Sequence, residues 1–247
     1  MRRPRLYADA ALSSGMELEL EPRAHRHATQ VLRLRPGDRL VLFDGRGSEF
    51  AAELIESDRR RSRVRLGEAL ATLTESPLRV TLIQAVAKGE RMDYSLQKAT
   101  ELGVSAIQPV FTARGVVAPT GSRLENRIRH WQGVIVSACE QCGRSRLPEL
   151  SGPVALADWL GSGTDALTGF VLDPAANQGL DAAATVTPGP PLYLLVGPEG
   201  GLDEEEIASA ERRGLTRTRL GPRVLRTETA TAAALAVVQS RWGDLGV

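Results

Sequence analysis

Two loops near the end of the chain carry residue types suited to binding a small ligand. Residues 197–201 read GPEGG, and residues 221–226 read GPRVLR. Glycine lets the backbone approach a ligand closely, proline fixes a bend, and the carboxylate of Glu199 could meet a cationic or hydroxyl-bearing ligand group. The first loop lacks the Lys-Ser/Thr ending of a P-loop and the GxGxxG spacing of a dinucleotide site. It therefore indicates a ligand of another class, or a turn with a purely structural role.

Each of these loops is expected to join a strand to a helix. Residues 192–196 form a continuous apolar run of strand length, and Asp203 with Glu206 three positions later is the pattern of a capped helix start. The next segment repeats this plan, with a strand at 216–220 and an alanine-rich helix that opens near residues 227–229. Because ligands bind beyond the carboxyl ends of strands in such sheets, the two neighbouring loops could hold one ligand from two sides.

The chain from residue 75 onward alternates strand and helix patterns. Further strands are predicted at 79–87, 106–110 and 169–172, and further helices at 92–102 and 123–142. This alternation predicts an α/β domain with a mostly parallel sheet. Residues 161–164 and 174–191 are rich in Gly, Ala and Pro and are predicted to be variable surface loops.

Residues 1–74 have the pattern of a small β-rich domain, which gives predicted domains of 1–74 and 75–247. Strands are predicted at 39–43, 49–55 and 63–73, and one helix at 24–32. Arginine is frequent in this region. An arginine cluster on a small β module fits binding to a phosphate backbone, and it fits a solvated surface equally well.

Composition limits the classes of protein. The chain has 247 residues, 42% hydrophobic and 25% charged, with a net charge of +1. No apolar run approaches the roughly 20 residues needed to span a bilayer, so we expect a cytoplasmic protein that does not bind a membrane.

Cys139 and Cys142 have the spacing of a redox pair but lie near a helix end, so they are expected to pack in the protein interior. The three histidines have no metal-ligand spacing, so no metal is expected.

Five stretches in chain order resemble one known family. They read HATQVLRLRPGD, KGERMDYSLQKATELGV, EQCGR followed by Pro148, VGPEGGLDEEEI and LGPRVLRTETA. Together they resemble the RsmE family of ribosomal RNA uridine methyltransferases in the SPOUT superfamily, over essentially the whole chain and most weakly over residues 150–190. Ala113 departs from the family pattern, which has an acidic residue before the arginine.

The resemblance implies both a fold and an activity. The expected fold is an N-terminal PUA-like β-barrel that engages RNA, followed by a SPOUT α/β domain tied in a deep trefoil knot. The expected assembly is a homodimer with its active site at the subunit interface. The expected activity uses S-adenosylmethionine to methylate N3 of one uridine in 16S ribosomal RNA, either free or in the small ribosomal subunit.

The resemblance also implies site residues. The expected cofactor-binding residues are Leu172, Gly197, Pro198, Glu199, Gly200, Gly201, Leu220, Gly221, Leu225, Arg226, Thr227 and Thr229. Arg226 or Arg144 is expected to stabilise negative charge on the uracil oxygens, and Glu199 is a candidate proton acceptor. The expected RNA-binding residues are Arg23, His27, Arg33, Arg59, Arg60, Arg61, Lys88 and Arg91.

Two other functional classes stay open on the sequence. A non-catalytic RNA-binding or ribosome-assembly factor would share the arginine-rich module but need no cofactor. A small-molecule enzyme that uses a nucleotide would share the α/β sheet but have no affinity for RNA. Binding of S-adenosylmethionine separates the first class from a methyltransferase, and RNA binding separates the second.

Overall fold

The computed structural model describes residues 3–72, 75–163, 165–180 and 190–246. The chain divides into two compact units, a first unit of residues 1–75 with 136–147 and a second unit of residues 76–135 with 148–247. The sequence assigned residues 136–147 to the second domain. Thr74, the last residue of the predicted first domain, lies outside the described residues, and the bounds 1–74 and 75–247 stay a prediction.

The first unit is built on a five-stranded sheet. Its strands are β1 (Arg5–Tyr7), β2 (Glu17–Glu19), β3 (Arg39–Phe43), β4 (Glu49–Ser57) and β5 (Ser62–Ala69), in the spatial order β1-β3-β4-β5-β2. β1 is parallel to β3, and the other neighbours are antiparallel. Alternate residues of these strands, among them Leu40, Leu42 and Leu54, are fully buried in one apolar cluster. The strands predicted at 39–43 and 49–55 are confirmed, and they pair as an antiparallel hairpin.

The helix predicted at 24–32 is wrong in its details. The structure has a short helix α1 (Pro22–Arg26) that continues into a π-helical turn, His27–Val31. In that turn the amide of Leu32 donates to the carbonyl oxygen of His27, a spacing of five residues that an apolar pattern does not distinguish from a regular helix. The predicted strand at 63–73 ends earlier, at Ala69, and residues 73 and 74 lie outside the described residues. The three-residue strands β1 and β2 were missed because so short a stretch has no readable alternation.

The second unit is an α/β sheet with helices between its strands. Its elements are β6 (Val80–Ala85), α2 (Glu90–Glu101), β7 (Ala106–Phe111), α3 (Ser122–Cys142, whose last seven residues belong to the first unit), β8 (Glu149–Leu150), β9 (Val154–Ala155), α4 (Leu156–Gly161), β10 (Gly169–Leu172), β11 (Leu192–Val196), α5 (Glu204–Arg212), β12 (Leu215–Thr218) and α6 (Thr227–Trp242). The strand order is β12-β10-β11-β6-β7-β8, with β9 also paired to β7, and every pairing between these strands is parallel. The predicted parallel α/β domain is confirmed.

Local sequence signals explain how α5 begins. The Asp203 carboxylate accepts a hydrogen bond from the amide of Glu206, and the Glu206 carboxylate accepts one from the amide of Asp203, which is a complete capping box. This pair satisfies two amides that the helix itself cannot use and fixes where the first loop ends. The helix ends at Arg212, two residues before Gly214, whose φ of 98° suits glycine.

Residues 154–161 form two elements, β9 and α4, for which no prediction was made from the sequence. The loops predicted at 161–164 and 174–191 are described only in part, since Thr164 and residues 181–189 lie outside the described residues. Within the described part, Gly179 forms a parallel bridge with Arg219. None of the described helices is long and apolar enough to cross a bilayer.

Candidate cofactor and catalytic site

A cavity lies at the carboxyl ends of three adjacent strands in the second unit. The segments that follow β10, β11 and β12 contribute most of its lining, and its volume is about 560 Å³. Cavities of roughly 300–1,000 Å³ are typical of small-molecule sites. The strand order explains why these three segments meet. β10 lies between β11 and β12, so the loops after β11 and β12 lie on the two sides of the loop after β10.

Most of the residues expected to bind the cofactor line this cavity. Nine of the twelve do so: Leu172, Gly197, Pro198, Glu199, Gly201, Leu220, Leu225, Arg226 and Thr227. The other three, Gly200, Gly221 and Thr229, are not part of the lining. Gly200 has a packing role instead, since a Cβ atom there would lie 3.0 Å from both the Cβ and the carbonyl oxygen of Arg114.

Sequence reasoning missed the part of the cavity lining that follows β10. Asp173, Pro174 and Ala175 directly follow β10 and line the site, as does Arg114 after β7. The Asp173 carboxylate lies 2.5 Å from the guanidinium of Arg217, which fixes this loop against β12. The missed signal was a polar residue directly after a buried strand, whereas the other two loops were marked by glycine and proline.

The lining carries guanidinium groups of two kinds. Arg91 is paired with Glu199, whereas the side chains of Arg223 and Arg226 have no hydrogen bond or ion pair to any described residue. Both of these arginines are exposed, and Arg226 is the N-cap residue of α6. A guanidinium held at the rim of a cavity and not neutralised by a carboxylate is available to an anionic ligand group.

Glu199 is held in place by two donors. Its carboxylate oxygen Oε1 accepts hydrogen bonds from the Arg91 guanidinium at 2.7 Å and from the amide of Lys88 at 3.0 Å. Partial burial raises the pKa of Glu199, but these hydrogen bonds together lower it below the ordinary glutamate value. The group is therefore ionised at neutral pH and is a weaker base than a free glutamate, which argues against a role as proton acceptor.

A Glu199→Gln variant tests this assignment. We expect it to keep methyl transfer at saturating substrates within about fivefold of the unchanged chain, because a largely exposed ion pair contributes about 0–1 kcal/mol. The acidic side of the pH–rate profile should not move. A loss of a hundredfold together with a shifted acidic limb would show instead that Glu199 accepts the proton.

Arg144 lies in the first unit, and its surroundings there are acidic. Its guanidinium donates to both Glu75 oxygens, with the shortest contact 2.6 Å long, and the residue is 8% exposed.

Nearby, Cys139 is buried, and its hydrogen bond with Cys142 and its burial raise the pKa of its thiol far above the ordinary range. Both cysteines are free, and the raised pKa of Cys139 fits the expected packing role better than a redox role.

The residues expected to bind RNA fall into two groups in the first unit. Arg23 and His27 both contact the buried Glu140 carboxylate, at 3.0 Å and 3.2 Å. Arg33, Arg59 and Arg60 are exposed and have no side-chain partner among the described residues. Arg61, next in sequence, pairs with Glu56 and Asp58. Of the two candidates in the second unit, Lys88 is exposed and Arg91 pairs with Glu199.

No cluster of three or more metal-ligating side chains occurs among residues 3–72, 75–163, 165–180 and 190–246. A second cavity of about 510 Å³ lies beside the turn after β7 and is lined by Phe111, Ala113, Val117, Leu156 and Glu206, among others. Ala113, the position where the family pattern has an acidic residue, donates its amide to Glu206 at 2.8 Å.

Comparison with known protein families assigns both units. An RNA methyltransferase PUA domain matches residues 21–76, and an RNA methyltransferase domain matches residues 74–239. Ribosomal RNA small subunit methyltransferase E of Mycobacterium bovis is 34% identical over 96% of this chain and 92% of its own length. The chain belongs to the ribosomal RNA small subunit methyltransferase E family. Another family member, from Buchnera aphidicola (Schizaphis graminum), is 31% identical over 99% of this chain and 98% of its own length.

Solved structures of relatives have the same fold. The small subunit methyltransferase E of Neisseria gonorrhoeae, bound to S-adenosyl methionine, has a TM-score of 0.89 at 37% identity and covers 98% of this chain and 99% of its own. A methyltransferase of Legionella pneumophila, solved with the bound cofactor SAM, has a TM-score of 0.93 at 39% identity and covers 99% and 100%. The resemblance to the methyltransferase E family and the predicted combination of a PUA-like and a SPOUT α/β domain are confirmed.

Proposed function

We propose that this protein transfers a methyl group from S-adenosylmethionine to N3 of one uridine in 16S ribosomal RNA. The observation that carries the proposal is the cavity at the ends of β10, β11 and β12, in a chain whose relatives in this family were solved with that cofactor. We infer that the protein acts in the cytoplasm, where ribosomal subunits are found.

The residues around the cavity fit the chemical groups of S-adenosylmethionine. Apolar side chains such as Leu172, Leu202 and Ile207 suit an adenine ring, and the lining also supplies carboxylates and guanidiniums for the charged methionine part. When bound, the cofactor supplies an electrophilic methyl group on a sulfonium. Gly201 leaves room at the cavity wall, since a Cβ atom there would have open space around it, whereas a Cβ atom at Gly197 would lie 3.1 Å from the side chain of Leu202.

Arg226 is the residue best suited to act on the uridine. The N3 position of uracil loses its proton, here to solvent water, as it accepts the methyl group, and negative charge spreads onto the ring oxygens during this step. The Arg226 guanidinium beside the cavity is available to donate hydrogen bonds to those oxygens and so to stabilise that charge. Arg144 is less suited within one chain, because its guanidinium is bound to Glu75.

We further propose that the active protein is a homodimer and that its second domain is knotted. Helix α6 supports a dimer, because its apolar residues are not confined to one face, and Ala232, Ala233, Ala236 and Val237 keep part of their surface exposed in the single chain. The start of α6 supports the knot. The chain leaves β12 at the edge of the sheet, and Thr227 then lies beside Gly197 at the end of β11.

The exposed turn between β4 and β5 is our proposed contact with the RNA backbone. Replacing Arg59 and Arg60 with alanine should weaken RNA binding and reduce the slope of log K against log salt by about 0.7–0.9 for each phosphate that is no longer neutralised. Filter binding to the target RNA between low and high salt measures that slope. Arg61→Ala is the matched control and should change the slope less, because its guanidinium already pairs with Glu56 and Asp58. An unchanged slope in the double variant would mean that the RNA binds elsewhere.

Methyl transfer to ribosomal RNA tests the proposed function directly. The purified protein is incubated with S-adenosylmethionine carrying an isotope-labelled methyl group and with small ribosomal subunits, or free 16S RNA, that lack the modification. The labelled base is identified by mass spectrometry of nucleosides. Label in 3-methyluridine supports the proposal, whereas cofactor binding without RNA affinity would favour a small-molecule enzyme. RNA binding without cofactor binding would favour an assembly factor.

A further inference from the structure

Three polar side chains lie buried behind the cavity, in the core of the second unit. Gln84 at the end of β6 and Thr231 in α6 are fully buried, and Thr227 at the start of α6 is 5% exposed. Gln84 and Thr231 do not line the cavity. Buried polar groups are costly unless each finds a hydrogen-bond partner, so their presence here requires an explanation.

The three side chains form a hydrogen-bonded chain with matched donors and acceptors. The Gln84 amide nitrogen Nε2 donates to Thr227 Oγ1 at 3.2 Å and to the carbonyl oxygen of Ala85 at 3.0 Å. Thr227 Oγ1 in turn donates to the carbonyl oxygen of Gly197 at 2.7 Å. Thr231 Oγ1 lies 2.7 Å from Gln84 Oε1 and 2.9 Å from the carbonyl oxygen of Thr227, so its one hydrogen can serve either acceptor.

This series of hydrogen bonds connects the elements that form the cavity. Gly197 is the first residue of the first loop, and Thr227 directly follows the second loop; both line the cavity. Gln84 is the register partner of Val196, the last residue of β11, so its amide lies beside the point where the first loop begins. The side chain of Gln84 therefore fixes the distance between the start of the first loop and the end of the second.

We propose that Gln84 and Thr231 are positioning residues that hold the two loops in the geometry that binds S-adenosylmethionine. The inference rests on the proposed function and adds to it two residues that touch neither substrate. They act through Thr227 on Gly197. Without Thr231, the Gln84 carboxamide no longer has a hydroxyl donor at Oε1 and is free to turn away from Thr227, which loosens the carbonyl of Gly197.

The experiment compares variants that differ by single groups. Thr231→Val removes the hydroxyl at almost constant volume, and Gln84→Met removes the amide at similar length. Thr231→Ser keeps the hydroxyl and should keep the affinity for S-adenosylmethionine. The matched control is Thr100→Val, since Thr100 is also fully buried in a helix of the same unit and donates its hydroxyl to the carbonyl oxygen of Leu96 within α2.

Two readouts are used, neither of which depends on turnover. Calorimetric titration of S-adenosylmethionine at a temperature where every variant is folded should give a dissociation constant at least about tenfold higher for Thr231→Val and Gln84→Met. Hydrogen exchange without cofactor should become faster at residues 197–201 in these two variants. Thr231→Ser and Thr100→Val should stay within about threefold of the unchanged chain in the titration, with unaltered exchange in the loop.

The outcomes separate this inference from the proposed function. Binding by Thr231→Val and Gln84→Met at the affinity of the unchanged chain overturns the inference alone, as does an equal loss in Thr100→Val. If Thr231→Val does not fold, Gln84→Met decides the matter by the same criteria. If the unchanged chain itself binds no S-adenosylmethionine, the proposed function fails and this inference fails with it.

Discussion

An Arg226→Ala protein saturated with S-adenosylmethionine and RNA should transfer the methyl group about 10²–10³-fold more slowly than the unchanged chain, the range seen when one donor to a developing anion is removed. The physical reason is that the exposed Arg226 guanidinium has no carboxylate partner among the described residues and lies at the rim of the cavity. Its contribution should therefore appear when negative charge develops on the uracil ring. Single-turnover rates at saturating cofactor and RNA measure it.

Two further variants make this result specific. Arg226→Lys keeps the charge but loses the planar pair of donors, so it should recover only part of the rate. Arg223→Ala removes another exposed guanidinium from the same loop and the same lining, and it should leave the single-turnover rate within a few-fold. Equal losses in Arg223→Ala and Arg226→Ala would indicate a general electrostatic effect on RNA binding. A normal rate in Arg226→Ala would remove the residue from the catalytic site.

Gly169→Ala should strongly destabilise the second unit. Gly169 is the register partner of Tyr193 where β10 lies between β11 and β12, and its φ is 153°. A Cβ atom there would lie 1.9 Å from the carbonyl oxygen of Tyr193, a backbone atom that cannot move without breaking the pairing of β10 with β11. We expect the free energy of unfolding to fall by about 3 kcal/mol or more, measured by denaturant titration.

Gly133→Ala is the control for this substitution. Gly133 lies within α3, and apart from its chain neighbours and the backbone of its own helix no heavy atom lies within 4 Å of the position of an added Cβ. Alanine is favoured over glycine in a helix by about 1 kcal/mol, so this variant should be as stable as the unchanged chain or more stable. If Gly169→Ala unfolded at the same denaturant concentration as the unchanged chain, this result would contradict the close approach of Gly169 to the carbonyl oxygen of Tyr193.

The first loop was predictable because its signals are local. An apolar run of strand length, a glycine-rich turn and a capped helix start all lie within about ten residues of one another, so the strands at 192–196 and the capped helix at Asp203 were found correctly. The same holds for the alternation that predicted the parallel sheet. The fold family came from five motifs in order, which is also information carried along the chain.

The neighbourhood of each loop could not be predicted in the same way. The order β12-β10-β11-β6 depends on pairing between strands that are distant in sequence, and no local period encodes it. For this reason the loop after β10 was expected to be a surface loop, although Asp173 and Pro174 line the cavity. The bond between Glu199 and Arg91, which makes Glu199 a poor base, joins residues 108 positions apart.

The family, the alternation of strands and helices, and the two glycine-rich loops could be predicted from the sequence, because they depend on residue types at short spacing. Which polar groups meet depends on the tertiary structure. It paired Arg144 with Glu75, left Arg226 without a partner among the described residues, and joined Gln84 to Gly197 through Thr227. The chemical role of a charged group or an amide depends on the groups within hydrogen-bonding distance of it, and only folding brings those groups together.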